Sequence, residues 1–192
     1  MQRLFLSILL TVTLTTISCT GSKNTVWKYD TSTPDAINPL AFDTEKLANL
    51  VHEGINQVRE KEKRKPLTKD LILFNAADEQ TSYVLSKGKL NHEQNNREKR
   101  TVSDRVRLFG GSYDIVGENL QYAGFNIVSQ GRKSTIMYPS YQATADQIVQ
   151  NWIKSKPHYR NFLNKEFSRV GTAVALDNEG KGVYATQVFS SN

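Results

Sequence analysis

Cysteine is almost missing from this chain. Its 192 residues include one, Cys19, and only three histidines, His52, His92 and His158. A single thiol cannot close an internal disulfide, and no Cys/His cluster has finger spacing, so a disulfide scaffold and a zinc finger are both excluded. Long apolar runs are also scarce. The longest, Leu4 to Leu14, is shorter than the roughly 20 residues that cross a bilayer. Neither sign of charge dominates: 25 Lys and Arg stand against 19 Asp and Glu, a net charge of +6. The basic runs Arg59 to Lys65 and Arg97 to Arg100 are interleaved with glutamate, which reads as solvated helix ends and not as a nucleic-acid surface. With 38% hydrophobic and 9% aromatic residues the chain can fill one core, which argues against wholesale disorder.

The apolar run has a use at the N-terminus. Arg3, the uncharged stretch after it and the small polar residues that follow make residues 1–18 an export signal. Thr16-Ile17-Ser18-Cys19 resembles a bacterial lipobox, with Thr16 where leucine is usual, and implies lipidation at Cys19. Acyl chains contribute about 0.8 kcal/mol per buried methylene, so a multiply acylated Cys19 holds a protein on a membrane without a spanning helix. Residues 19–43, rich in Thr, Ser and Asn and interrupted by Pro34 and Pro39, read as the lipidated Cys and a flexible tether. The domain then occupies residues 44–192.

Within that domain, Leu47, Leu50, Val51, Ile55 and Val58 recur at helical spacing until Pro66. A second helix runs from about Lys69 to Lys87 and stops at Gly88; Val102 to Phe109 forms a short third. Tyr113 to Leu120 reads as a strand. Residues 121–142 show no clear period but carry Tyr122, Phe125, Ile127, Tyr138 and Tyr141, and are expected as a flap over a groove. Thr144 and Gln147 suit a capping box for a helix through Trp152 that ends before Pro157. Val170 to Phe189 alternates like a β-hairpin around a turn at Asp177 to Gly182. Helices first and a hairpin last imply an α+β domain with helices covering an antiparallel sheet.

Chemistry concentrates in few places. Glu118 is an acid inside an apolar strand, where a carboxylate needs a partner because burying it unpaired is expensive. His92 lies in a hydrophilic loop, His158 follows Pro157, and His52 sits beside the apolar face of the first helix. His92, then Gly117-Glu118-Asn119-Leu120, then Trp152-x-x-Ser155-x-Pro157-His158-Tyr159-Arg160-Asn161-Phe162-Leu163, then Tyr184-Ala185-Thr186-Gln187-Val188-Phe189 together resemble the bacterial branch of the CAP/SCP superfamily of cysteine-rich secretory proteins, antigen 5 and pathogenesis-related proteins. Asn56-x-x-Arg59 and Asp104-Arg105 fit the same pattern, which covers nearly the whole domain.

The resemblance implies a three-layer α-β-α sandwich with an antiparallel central sheet and a cleft where two histidines and acidic residues converge, a group that binds a divalent cation in some members. Carried onto this chain, the metal set is His92, Glu118 and His158, with zinc or another divalent ion as cofactor. Ser155 stands where many eukaryotic relatives have a fourth acid, so metal binding should be weaker or lost. Gln187 points into the cleft or is an ordinary sheet-face residue; Tyr138 and Tyr141 form the cleft rim or pack under the flap. Three readings compete: a monomeric binding module for an apolar, sterol, lipid or cell-wall glycan ligand; a metal-dependent hydrolase with His92, Glu118 and His158 as catalytic candidates; and a purely structural hydrogen-bond network. The binding module, tethered in the cell envelope and without nucleic acid, is the favoured one.

Overall fold

A computed structural model describes residues 26–30 and 32–191. The architecture is a four-stranded sheet between helical layers, with a smaller three-stranded sheet beside it. The elements in order are β1 (Val26–Asp30), α1 (Thr44–Lys61), β2 (Thr68–Lys69), α2 (Leu71–Lys87), α3 (Val102–Leu108), β3 (Val116–Gly124), β4 (Asn126–Gln130), β5 (Lys133–Met137), α4 (Tyr141–Lys154), α5 (Lys156–Phe162), β6 (Arg169–Leu176) and β7 (Gly182–Ser190). The large sheet has the order β2-β6-β7-β3, antiparallel except for the short parallel β2–β6 pair.

Local chemistry explains the helices. Asp43 caps α1 by accepting the Lys46 N–H at 2.9 Å, and Leu47, Val51 and Ile55, one turn apart, are buried. Arg59, also buried, donates to the carbonyls of Lys65, Phe162, Asn164 and Phe167 and so ties the end of α1 to the segment after α5. Asp70 caps α2 through the Leu73 N–H at 3.0 Å, and Gly88 at φ 61° ends that helix in the left-handed region that glycine adopts without strain.

Alternation along β6 and β7 separates the layers. Val170, Val174, Ala185 and Phe189 pack with α1 and α4, whereas Ala173 and Val188 face Leu73, Ala76 and Ala77 of α2. Contact with α2 is close: a Cβ on Gly171 would lie 2.0 Å from the Phe74 nitrogen, so only glycine lets helix and strand approach there. The α-β-α expectation therefore holds, with α2 and α3 on one face and α1, α4 and α5 on the other.

Three expectations change. The segment expected as a flap is strand: β3 runs on to Gly124, and β4 and β5 form a hairpin whose register runs from Asn126↔Met137 to Gln130↔Lys133. Every residue of β4 is exposed, so it carries no alternation to read. The supposed tether is also partly built in. β1 pairs in parallel with β5, from Val26↔Lys133 to Asp30↔Met137, and Ile37 is wholly buried in the main core. Finally, Ser140 and not Thr144 caps α4, accepting the Ala143 N–H at 3.1 Å; Thr144 is buried and donates to the Ser140 carbonyl. Pro157 then serves α5 in its first turn, where a missing N–H costs nothing.

Candidate functional site

β3 is the outer strand of the large sheet, and the candidate site forms at its edge. Glu118 pairs in register with Val188 and therefore faces the α2–α3 layer. Its side chain is only 4% exposed, and both oxygens are engaged. His92 Nδ1 bonds Oε1 at 2.8 Å, and the Arg105 guanidinium donates to Oε2 at 2.5 Å. Arg105, on α3, is fully buried, and its other terminal nitrogen donates to the carbonyls of Lys99 (3.0 Å), Arg100 (3.3 Å) and His92 (3.4 Å). One guanidinium thus neutralises Glu118 and pins the loop that presents His92. The reciprocal capping box between Thr101 and Asp104 fixes the start of α3 and so the position of Arg105.

His158 approaches from the opposite face. Asn119, the next residue of β3, donates to the His158 carbonyl at 3.1 Å, while the Asn161 amide reaches the Glu118 carbonyl at 3.0 Å and Asn119 Oδ1 at 2.9 Å. These bonds lock α5 against β3. His158 is close enough to His92 to feel its charge. The hydrogen bond to Glu118 raises the His92 pKa above its ordinary value, against the opposing pull of burial. Burial lowers that of His158, and the neighbouring His92 adds to the effect. With Nδ1 committed to Glu118, His92 presents Nε2 outward on a side chain that is 58% exposed. The site therefore offers two imidazoles of opposite protonation bias at a solvent-facing strand edge.

Of the expected trio, His92 and Glu118 are in direct contact, whereas His158 meets β3 through its backbone carbonyl and feels the charge of His92; the other expected site residues lie elsewhere. Gln187 pairs with Asn119, one residue beyond Glu118, so it lies on the other face of the sheet, fully buried, donating to Thr172 Oγ1 at 3.0 Å. Tyr138 is a core residue: its hydroxyl donates to the Gly180 carbonyl at 2.8 Å and its ring meets Phe125 edge-on. Tyr141 is buried at the start of α4, stacked on Phe42 and accepting the Asp43 N–H at 2.7 Å. Neither tyrosine lines the cleft. Ser155 joins α4 to α5 without a side-chain capping bond. His52, half-buried on α1, contacts Asn56 at 3.2 Å, as its helix-flank position suggested. Cys19 and the expected export signal lie outside the described residues.

A three-ligand cation centre does not fit this arrangement. Both Glu118 oxygens are taken, one of them by a cation, and among the described residues no group of three or more His, Cys, Asp or Glu side chains could hold a metal ion. Two imidazoles remain as donors, fewer than the three protein ligands of an open zinc site. The partner of Glu118, Arg105, is the residue that sequence reasoning missed; Asp104-Arg105 was visible as a pattern, but nothing in one dimension aims that guanidinium at residue 118.

Comparison with known proteins gives the family through its sequence model and the fold through solved structures. The family model for CAP, the cysteine-rich secretory protein family, matches residues 52–189. The uncharacterized protein YkwD of Bacillus subtilis is 27% identical over 121 residues, covering 63% of this chain and 39% of the relative. The chain thus spans well under half of that curated relative. An extracellular protein containing an SCP domain from Bacillus anthracis superposes with a TM-score of 0.61 at 17% identity, over 78% of this chain and 41% of its own. An outer surface protein from Borrelia burgdorferi gives 0.61 at 14% identity, over 79% of this chain and 97% of its own. At these identities the solved structures speak for the fold.

Proposed function

The chain belongs to the CAP family of cysteine-rich secretory proteins, and from that premise we propose that it is an exported, envelope-tethered binding domain of a bacterium, whose His92–Glu118–His158 cleft takes a hydrogen-bonding ligand of glycan character. The observation that carries this reading is the state of Glu118. A carboxylate already bonded at both oxygens is a positioning group for His92 and not a free base or metal ligand, which favours binding over metal-dependent hydrolysis. What faces outward is an imidazole biased toward its proton beside one biased against it, a donor and acceptor pair suited to hydroxyl and acyl-amide groups. An apolar ligand has less support, since Tyr138 and Tyr141 are consumed by the core.

The tether rests on Cys19 directly after an export signal. No helix among the described residues is long and apolar enough to cross a membrane. Retention of the full chain in a bacterial membrane fraction, with release on Cys19→Ala, is the expected result; equal retention of both removes the lipid anchor. For the cleft, the probe is the disaccharide of N-acetylglucosamine and N-acetylmuramic acid, added to the protein while the ring signals of His92 and His158 are followed by NMR. Saturable shifts of both signals, with binding lost in His92→Ala/His158→Ala, support the glycan reading. Ring signals that stay in place up to millimolar disaccharide refute it.

A further inference from the structure

The large sheet has two outer edges, and the His92–Glu118 pair occupies only one. At the other edge β6 is nearly unpaired, although its residues from Val170 to Val174 are buried between α1 and α2. β2 pairs with it at two positions, Thr68↔Arg169 and Lys69↔Val170, and among the described residues no strand continues beyond them. The Asp70 N–H bonds the Val170 carbonyl at 3.0 Å, so Val170 turns its backbone groups outward, away from β7. Alternation along a strand then turns the N–H and C=O of Thr172 and Val174 the same way. From Gly171 to Leu176 the open edge is about 20 Å long at ~3.3 Å per residue.

This edge is the floor of a groove of about 570 Å³. One wall is a single face of α1, formed by Thr44, Ala48 and His52 at four-residue spacing; the other is a face of α2, formed by Leu71, Phe74 and Asp78. Leu71 is 72% exposed and Phe74 41%, large apolar side chains standing free beside unpaired backbone. The charges lining the groove are unbalanced. Asp70 is paired with Arg169 at 3.1 Å, and Lys69 donates to the neutral Asn49 at 2.7 Å and keeps its positive charge, so acids exceed bases along the lining. Glu45 and Asp78 have no cationic partner among the described residues.

We infer that this groove is a second binding site, in which an extended peptide segment adds a strand to the open edge of β6, sets an apolar side chain against Leu71 and Phe74, and places a lysine or arginine beside Asp78 or Glu45. Unpaired backbone gives such a segment its affinity, and the two walls give it selectivity. A glycan would leave the row of outward N–H and C=O groups without matching spacing; a strand supplies both partners at the sheet repeat. The site is independent of the His92–Glu118 pair, which lies at the far edge of the same sheet.

The test uses the full chain and a fluorescein-labelled heptapeptide of alternating valine and lysine, followed by fluorescence anisotropy. Saturable binding is expected. It should weaken roughly tenfold or more when alternate peptide nitrogens are methylated, which removes the donors that pair with β6, and similarly when glutamate replaces lysine. Leu71→Arg and Asp78→Lys, both at exposed positions that keep the fold, should each weaken binding as much, while His92→Ala leaves it unchanged. Lack of saturation overturns the inference, as does equal affinity for the methylated peptide or for Leu71→Arg. Gel filtration showing a dimer of the chain that Leu71→Arg dissociates would assign the edge to a second copy and overturn the peptide site as well.

Discussion

Replacing Arg105 by methionine probes the centre of the site most directly. The guanidinium is fully buried, 2.5 Å from a carboxylate that is itself 4% exposed. Methionine fills much of the volume but leaves Glu118 as a buried anion whose sole remaining side-chain partner is His92. Breaking a buried pair from one side costs about 3–5 kcal/mol, because the surviving charge loses the cation that offset its burial. The carbonyls of Lys99, Arg100 and His92 also lose a donor. For a chain of this size about 2–4 °C of melting temperature corresponds to each kcal/mol, so a fall of roughly 6–20 °C is expected. Urea unfolding of Arg105→Met, Glu118→Gln and the double variant separates the pair from general packing loss. With the charge already gone in Glu118→Gln, the methionine should cost at least ~1 kcal/mol less than it does alone. Costs that simply add, to within ~0.5 kcal/mol, or an Arg105→Met variant within ~1 kcal/mol of the parent, would refute the account of Glu118 as a charge held by Arg105.

The same geometry sets the titration of His92. Glu118→Gln removes the largest influence raising its pKa and should bring it down, whereas Arg105→Met removes a positive neighbour and should move it further up; ring NMR against pH reads both, and an unmoved midpoint in Glu118→Gln sinks the proposed pairing. Because the folded pKa is raised, the stabilisation that this proton brings is fully present below about pH 6.5, the ordinary unfolded value, and is lost as pH rises through the folded value. It should be modest, since the His92 side chain is 58% exposed and solvent screens it. At the other end of the molecule, Ile37→Ala should cost about 2–5 kcal/mol in thermal or urea unfolding, because its side chain is wholly buried in the main core. A near-neutral Ile37→Ala would restore the view that the domain begins only at residue 44.

How much of this was legible beforehand depends on the range of the interaction involved. Helices α1, α2 and α3 announced themselves through one-turn apolar spacing and, for α2, Gly88, and the β6–β7 hairpin through alternation around a turn that Asp177 closes with its own carboxylate. The family pattern then singled out His92, Glu118 and His158, of which His92 and Glu118 are in contact. For Gln187 the choice between cleft and sheet face stayed open because neither composition nor motif order says which residue of β7 faces which helix layer. That depends on register, and one step along a strand reverses the face. β4 was unreadable for the opposite reason: a strand exposed on every residue has no buried face to impose a pattern.

Sequence alone determined the local elements and the residue types available for chemistry, because caps, turns and apolar periods act over a few neighbours. Only the tertiary structure decided what those residues do. It took the buried Arg105 to turn Glu118 from a candidate ligand into an anchored partner of His92, and the short reach of β2 to leave an edge of β6 open. Both follow from contacts between segments far apart in the chain, formed where burying a charge or pairing a strand is settled by three-dimensional packing and not by the order of residues.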